Sequence, residues 1–498
     1  MRSLYQRAGL ALSVLVLLAG CAAVGPDYSP PVLTSAQFPE RFGEPLPGLS
    51  SGAVEVQWWR AFDEPGLTTL IAQALAANHD IAIAGARLQE ARAMLRESRQ
   101  GFLPRGAAGL GYESFRRSEV QTPAGQARHI ETWSGAVDAS WEIDLSGGIR
   151  RSVEVARAQA GSREALLRGV QASVASSVAA TWFELRAIEA EQAVVDDISQ
   201  SQRASLQLVE RQVGIGSATE FDRLRAVALL RSVEVDAPEL ERRRSAAVNA
   251  LAMLLGKTPQ TFRLPVGPAG ADVLAVRTIA VGDPAALLMR RSDIAAAERN
   301  LAAATAQIGV ETAGLYPRVQ VQGSLGLVAG SLDAMGGSGA MSSFIAPVIS
   351  WSLLDIGRVR ARIAAGEART REALLVYEQT VLRALQETDD AFKANGAAGR
   401  SLGLRLLESA ANREAAVIAR ARFAAGEGIY LDVLEAERSD FASRRALVLA
   451  RTRQRLAVVS IYKALGGGWE VCAPADRGYS CAAAMESVKG ARQMPPRS

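Results

Sequence analysis

The chain carries one pattern twice, and a duplicated pattern commits both halves to the same architecture. Phe102-Leu103-Pro104-Arg105 aligns with Leu315-Tyr316-Pro317-Arg318, and Asp80-Ile81-Ala82 with Asp293-Ile294-Ala295, at a shared offset of 213. Farther on the offset is 210, pairing Trp141 with Trp351, Gly147 with Gly357, Arg150 with Arg360, Gly216 with Gly426, Asp222 with Asp432, Leu224 with Leu434 and Gly256 with Gly466. A three-residue difference in one loop accounts for the change. The copies occupy residues 58–260 and 284–466, with a Pro/Gly-containing linker at 261–283 and a tail at 467–498.

Inside each copy the hydrophobic period switches from helical to two and back. Trp133, Gly135, Val137, Ala139, Trp141 and Ile143 alternate with Thr132, Ser134, Asp138, Ser140, Glu142 and Asp144. Such alternation is a strand with one apolar and one polar face. The second copy places Ile345, Pro347, Ile349, Trp351 and Leu353 on one side of a strand, and Val319, Val321, Gly323, Leu325 and Leu327 on one side of its partner. The expected strands are 105–117, 130–145, 318–329 and 344–355, with hairpin tips at 118–129 and 330–343. A soluble sandwich and a membrane-spanning sheet both fit this alternation. Strands of about ten residues and the tryptophans 133, 141 and 351 suit a tilted bilayer crossing with an interfacial belt. Four strands cannot close a barrel, so a membrane sheet requires several chains.

No proline lies between Gly148 and Gly216 or between Gly357 and Gly426, so each segment can form one helix of about 100 Å. Leu167, Val170, Val174, Thr181, Leu185, Ile188, Val195, Leu206, Val209 and Val213 follow three-four spacing, as do Leu374, Tyr377, Val381, Leu385 and Phe392. These are coiled-coil seams. The expected long helices are 148–213, 219–255, 358–424 and 430–465, with Pro238 kinking the second.

The formal net charge of +4 is too small for a nucleic-acid binder. Two histidines and three cysteines give metal or histidine chemistry little to work with. Arg2 and Arg7 precede the apolar run Leu10 to Leu18, which ends in Leu18-Ala19-Gly20-Cys21. That is a secretory signal over residues 1–20. Leu-Ala-Gly-Cys also resembles the bacterial lipobox, in which the cysteine thiol becomes acylated, and Ala22 after it implies the outer membrane. Residues 21–57 are rich in Pro, Gly and Ser and read as an extended arm, with structure beginning near Trp58.

Together these residues resemble the TolC-like outer-membrane efflux factors, in their lipoprotein branch often called the NodT family. The resemblance rests on the lipobox, Gly25-Pro26-Asp27-Tyr28, Trp58-Trp59, Phe102-Leu103-Pro104, the two Trp-to-Gly-to-Arg strand ends and Leu254-Leu255-Gly256-Lys257-Thr258-Pro259. It covers residues 18–470. It implies a mixed α and β fold: a homotrimer forming one outer-membrane β-barrel, four strands per protomer, continued by a long periplasmic α-helical barrel. It implies work with an inner-membrane pump, of the RND type, and a periplasmic adaptor, with no cofactor beyond the lipid on Cys21 and no enzymatic activity. A protein-secretion channel and a non-channel periplasmic coiled-coil lipoprotein are the alternatives.

The family's gate lies at the tip joining the long helices of the second copy, here Phe423 to Ala436. Leu431 and Glu435 share a helix face with Asp432 beside them, so a three-fold tube would carry apolar and anionic rings there. Phe423 and Asp222 complete the candidate set. A first-turn carboxylate favoured by the helix dipole is the competing reading for Asp432 and Asp222. For Leu431 it is simple core packing. Gly48-Leu49-Ser50-Ser51-Gly52 matches a nucleophile-elbow pattern without a strand-turn-helix context, and is read as linker. Arg242-Arg243-Arg244 reads as a solvated helix face. Cys472 and Cys481 can form a local disulfide or remain thiols.

Overall fold

A computed structural model describes residues 23–31, 49–50, 56–265, 279–280, 290–467, 473–475 and 478–480. Cys21, Cys472, Cys481, the signal segment and most of the 261–283 linker lie outside the described residues. In chain order the main elements are α1 Pro65–Ala77, α2 His79–Gln100, β1 Arg105–Arg116, β2 His129–Ile143, α3 Gly148–Gly214, α4 Glu220–Glu234 and α5 Asp236–Leu254. The second copy gives α6 Ser292–Ala313, β3 Arg318–Ala329, β4 Met341–Ser350, α7 Ile356–Ala424 and α8 Tyr430–Ala464. The bounds of α2 and α6 differ by the offset read from sequence at both ends, and so do those of β1 and β3.

The described residues form two compact units, one drawn from 23–31, 87–164 and 296–378, the other from 56–86, 165–265, 290–295 and 379–467. The first holds one antiparallel sheet of order β1-β2-β3-β4. Its register sets Tyr112 against Trp133, Val137 against Ala108 and Leu325, and Val319 against Ile349, so the apolar alternation of every strand falls on one face. Asp138, facing Ser324, and Glu142, facing Gln320, lie on the other. The apolar face is bare, with Leu110 91% and Ile345 79% exposed.

The fourth strand is Met341–Ser350 rather than 344–355, because Ser350 pairs with Arg318, the first residue of β3, and no ladder partner remains beyond it. Trp351 therefore stands just past the strand end. Its indole donates to Leu315 O at 3.1 Å, as that of Trp141 donates to Phe102 O at 3.0 Å. Each copy thereby pins its chain reversal with the same bond. The structured chain also begins earlier than Trp58. Residues 23–31 are placed, and Leu49–Ser50 pairs in parallel with Ile279–Ala280.

The second unit has a core that uses both copies. Trp58 is fully buried, stacks on Tyr462 at 5.2 Å and meets Phe62, which packs on Phe183 at 4.7 Å. Asn78 joins α1 to α2 by accepting from Asp80 N and Ile81 N, while its amide donates to Leu254 O at 2.9 Å. Arg291 stands at the matching place in the second copy and donates to Ala464 O at 3.0 Å. One device thus receives the last carbonyls of both ascending helices.

The expected kink at Pro238 interrupts the helix by one residue: α4 ends at Glu234 and α5 begins at Asp236, with Val235 between them still in right-handed helical conformation. Pro238 lacks the N–H that would bond Glu234 O and its ring crowds that carbonyl. Val448 takes the equivalent place in α8, which is continuous. Arg445 of α8 braces the joint, donating to Asp236 at 2.7 Å and to buried Glu191 at 2.6 Å. The basic run is a solvated face that also carries ion pairs: the Arg242, Arg243 and Arg244 side chains stay 67%, 37% and 42% exposed, while Arg242 pairs with Glu239, Arg243 donates to Glu191 at 3.2 Å and Arg244 lies 3.5 Å from Glu189.

The long helices end at glycines with positive φ, among them Gly216 at 75° and Gly256 at 65°. A Cβ on Gly216 would meet open space, whereas one on Gly256 would lie 2.5 Å from Ala77 O. Gly216→Ala is expected to cost only the left-handed strain, about 1–2 kcal/mol. Gly256→Ala adds a backbone clash and is expected to lower the thermal midpoint further. Equal midpoints by circular dichroism would show that Gly256 is not a close-approach position.

Candidate functional site

The two helical tips are built alike up to one residue. After α3, Gly216 N donates to Val213 O and Ser217 N to Gln212 O; after α7, Gly426 N donates to Phe423 O and Glu427 N to Arg422 O. Each is a Schellman turn that frees the chain to reverse. The next helix then starts differently. In the first copy Thr219 is the N-cap of α4, and Asp222 returns the favour by accepting from Thr219 N at 3.0 Å, a complete capping box. In the second copy Ile429 occupies the cap position and offers no side-chain bond.

That exchange of Thr219 for Ile429 changes what the two aspartates do. Asp222 is engaged by its own helix end, the cap reading of the sequence. Asp432 is exposed and its carboxylate has no hydrogen-bond or ion-pair partner among the described residues. Glu435, three residues on, is also exposed, and Leu431 is 37% exposed. Leu431, Asp432 and Glu435 therefore form one accessible group on the first turn and a half of α8. Phe423 does not join them. It is buried at 5.7 Å from the Tyr430 ring, in a core with Val209, Ala226, Leu229, Val433 and Leu434 that binds the two tips together.

Behind that core lies a polar layer that the sequence reading missed. Glu437 is 3% exposed and accepts from Gln202 Nε2 at 2.9 Å and Ser205 Oγ at 2.7 Å, with Arg420 Nη1 3.7 Å away. Burial outweighs these partners and pushes the Glu437 carboxyl above its ordinary value. Asp440 is buried and raised for the same first reason, and its Oδ1 has no partner. The Tyr430 hydroxyl is buried without a partner as well. Burial first, then the charges of Glu437 and Asp222, push its pKa up to about 12. The missed signal was spacing: Tyr430, Val433, Leu434 and Glu437 follow i, i+3, i+4, i+7, which put an acid on the buried stripe.

Glu437 binds its proton more readily folded than unfolded, so stability from this site is greatest below the ordinary glutamate pKa. It falls as pH rises from there through the raised value. Glu437→Gln keeps the shape and removes the titration. The difference between thermal midpoints at acid and at mildly alkaline pH is expected to shrink in this variant, with Asp440 supplying the remainder. An unchanged difference would place the pH dependence elsewhere.

Compared with known proteins, the family model described as outer membrane efflux protein matches residues 70–257 and 284–467, one match per copy. The chain is 30% identical over 466 residues to the solvent efflux pump outer membrane protein SrpC of Pseudomonas putida, covering 93% of this chain and 98% of that one. It is 28% identical over 468 residues to the cation efflux system protein CusC of Escherichia coli, covering 93% and 98%. Among solved structures, the outer-membrane channel OprN matches with a TM-score of 0.82 at 33% identity, covering 90% of this chain and 100% of that one. CusC matches with a TM-score of 0.80 at 26% identity, covering 90% and 100%.

Proposed function

The chain belongs to the outer membrane efflux protein family, and on that basis we propose that three copies join their four-stranded sheets into one twelve-stranded barrel continued by a periplasmic helical tunnel. The protein is an outer-membrane channel component of a tripartite efflux system. The observation that carries the barrel reading is the open sheet. β1 and β4 are edges, each paired on one side only among the described residues, and the face they share is apolar and bare. Hydrocarbon tolerates neither an unpaired edge nor a polar outer face, and pairing β4 of one copy with β1 of the next removes both edges. The polar face, with Asp138, Glu142 and Gln320, then lines water.

Transport through such a tube is passive, with the energy supplied by an inner-membrane pump of the RND type and transmitted through a periplasmic adaptor. Relatives at similar identity carry names referring to solvents, cations and pyoverdine. Identity to them does not choose a cargo, and a water-filled lumen has no pocket that would. Leu431, Asp432 and Glu435 form the periplasmic gate: repeated three-fold, they place an apolar ring beside anionic ones. Support comes from the missing cap at Ile429, which leaves Asp432 unspent on its own helix. Asp222, held in its capping box, serves the structure of the neighbouring tip.

The double variant Asp432→Ala/Glu435→Ala is expected to raise single-channel conductance in planar bilayers or to reduce cation preference. Unchanged conductance and selectivity would remove these residues from the gate. Cys21 carries the lipid anchor in this reading. Cys21→Ser is expected to lose acyl labelling and anchoring strength while keeping a heat-resistant trimer on gel electrophoresis, because the barrel inserts by its own surface. Loss of all trimer would count against an independent barrel.

A further inference from the structure

Only the gate-bearing copy hides acids beneath its tip. At the offset of 210, Glu437 and Asp440 correspond to Val227 and Leu230, and Gln202 and Ser205 to Asn412 and Ala415. The polar layer is therefore no by-product of the duplication. It belongs to one side alone, between the start of α8 and the stretch of α3 that faces it. A valine and a leucine at the matching places show that the packing of a tip does not require carboxyls there.

The partners of Glu437 suit a carboxyl that gains and loses a proton. Gln202 and Ser205 are neutral, and each can donate or accept. Arg420 of α7 is not closed on the carboxylate: its Nη1 donates to Ser201 Oγ and its Nε to Ala416 O at 3.2 Å, leaving Glu437 Oε1 3.7 Å away. Arg444 is drawn to Asp197 of α3 at 2.7 Å, with Asp440 Oδ2 at 3.9 Å. Arg413 of α7 acts on Asp440, and Arg438 of α8 on Tyr430, from farther off, while Asp222 of α4 is held in its capping box. Ionised, Glu437 has two donors. Neutral, it has a proton to give, and Ser205 Oγ can accept it. So can Gln202 Oε1, which has no partner as it stands, once the amide turns over.

We propose that Glu437 is a positioning residue of the gate and works as its proton-operated latch: neutral, it seats the start of α8 on α3, and ionised, it favours release of that start into water. The inference rests on the gate reading of Leu431, Asp432 and Glu435, which precede it on the same helix. Release lets water reach the carboxyl, which then returns toward its ordinary value. The seated form therefore binds the proton more tightly. It is most favoured below the ordinary glutamate pKa, and release becomes easier as pH rises from there through the raised value. Asp440, buried one turn on and raised first by burial, acts with the same sign. The Tyr430 hydroxyl, pushed up to about 12, stays neutral throughout.

The test uses the full-length protein in planar bilayers, with open probability read from about pH 5 to about pH 8. An Asp432→Asn/Glu435→Gln background keeps the shape of the gate and removes the titration of its exposed carboxylates. In that background, open probability is expected to rise at least about tenfold across the range. Adding Glu437→Gln is expected to hold it near the low-pH level, with a rise of less than about threefold that Asp440→Asn removes. Glu437→Ala, which takes the acceptor from Gln202 and Ser205, is expected to stay open at every pH. Should the alanine variant fail to fold, the glutamine and asparagine variants carry the test. A rise undiminished by Glu437→Gln, a flat profile in the background protein, or a fall with rising pH would overturn the latch. So would variants that lower the thermal midpoint while keeping the pH profile, since that is what a purely structural glutamate gives. A parent that forms a heat-resistant trimer and never conducts would instead overturn the channel reading, and the latch with it.

Discussion

A backbone N–H or C=O without a partner in hydrocarbon costs several kcal/mol, and an open sheet presents a row of them along each edge. β1 and β4 are such edges, and the face between them is apolar and uncovered. Everything else in the chain is compatible with one way of resolving that cost. The hairpins are antiparallel and bilayer-length, the two copies contribute two strands each, and the ladder β2–β3 that joins the copies is as continuous as those within them. In the proposed barrel the sheet is half of a contact that another copy completes, and the duplication supplies the geometry that makes the copies interchangeable at that seam.

Most of this was legible in the sequence because it depends on local chemistry repeated twice. Strands β1 and β3 and helices α3, α7 and α8 follow from periodicity, from the proline-free runs and from the glycines that end helices. What the sequence concealed are effects of partners distant in the chain. The fourth strand stops at Ser350 because β3 begins at Arg318, and nothing in the residues around Trp351 announces it. The proline-free run of α8 contrasts visibly with Pro238, yet the brace that Arg445 gives the resulting joint is set by packing. The arm looked like a linker by composition, and Arg151, whose guanidinium donates to Val24 O and to the Asp27 carboxylate, is marked only by those neighbours.

The acids at the tip show the same division. Spacing placed Leu431 and Glu435 on one face and set Asp432 beside them, and the structure leaves all three accessible. Phe423 shared their segment but not their face: it closes the tip core against Tyr430. Glu437 and Asp440 are on the buried stripe, where each costs desolvation that its hydrogen bonds only partly offset. Such residues are poor contributors to stability.

The two tips share one core, so their relative firmness turns on what lies outside it. The first has a reciprocal box between Thr219 and Asp222, and a cap of that kind contributes about 1 kcal/mol. The second has an isoleucine at the cap, an unpartnered tyrosine hydroxyl behind its first turn, and a buried acid one turn farther on. Each of these differences weakens the start of α8 relative to the start of α4. With equal Schellman turns on the preceding side, a load applied to both tips would be met first by movement of α8, the helix that carries Leu431, Asp432 and Glu435. In the proposed gate the residues that select and the residues that yield are therefore on one element, and two tips with identical caps would not divide the work in this way.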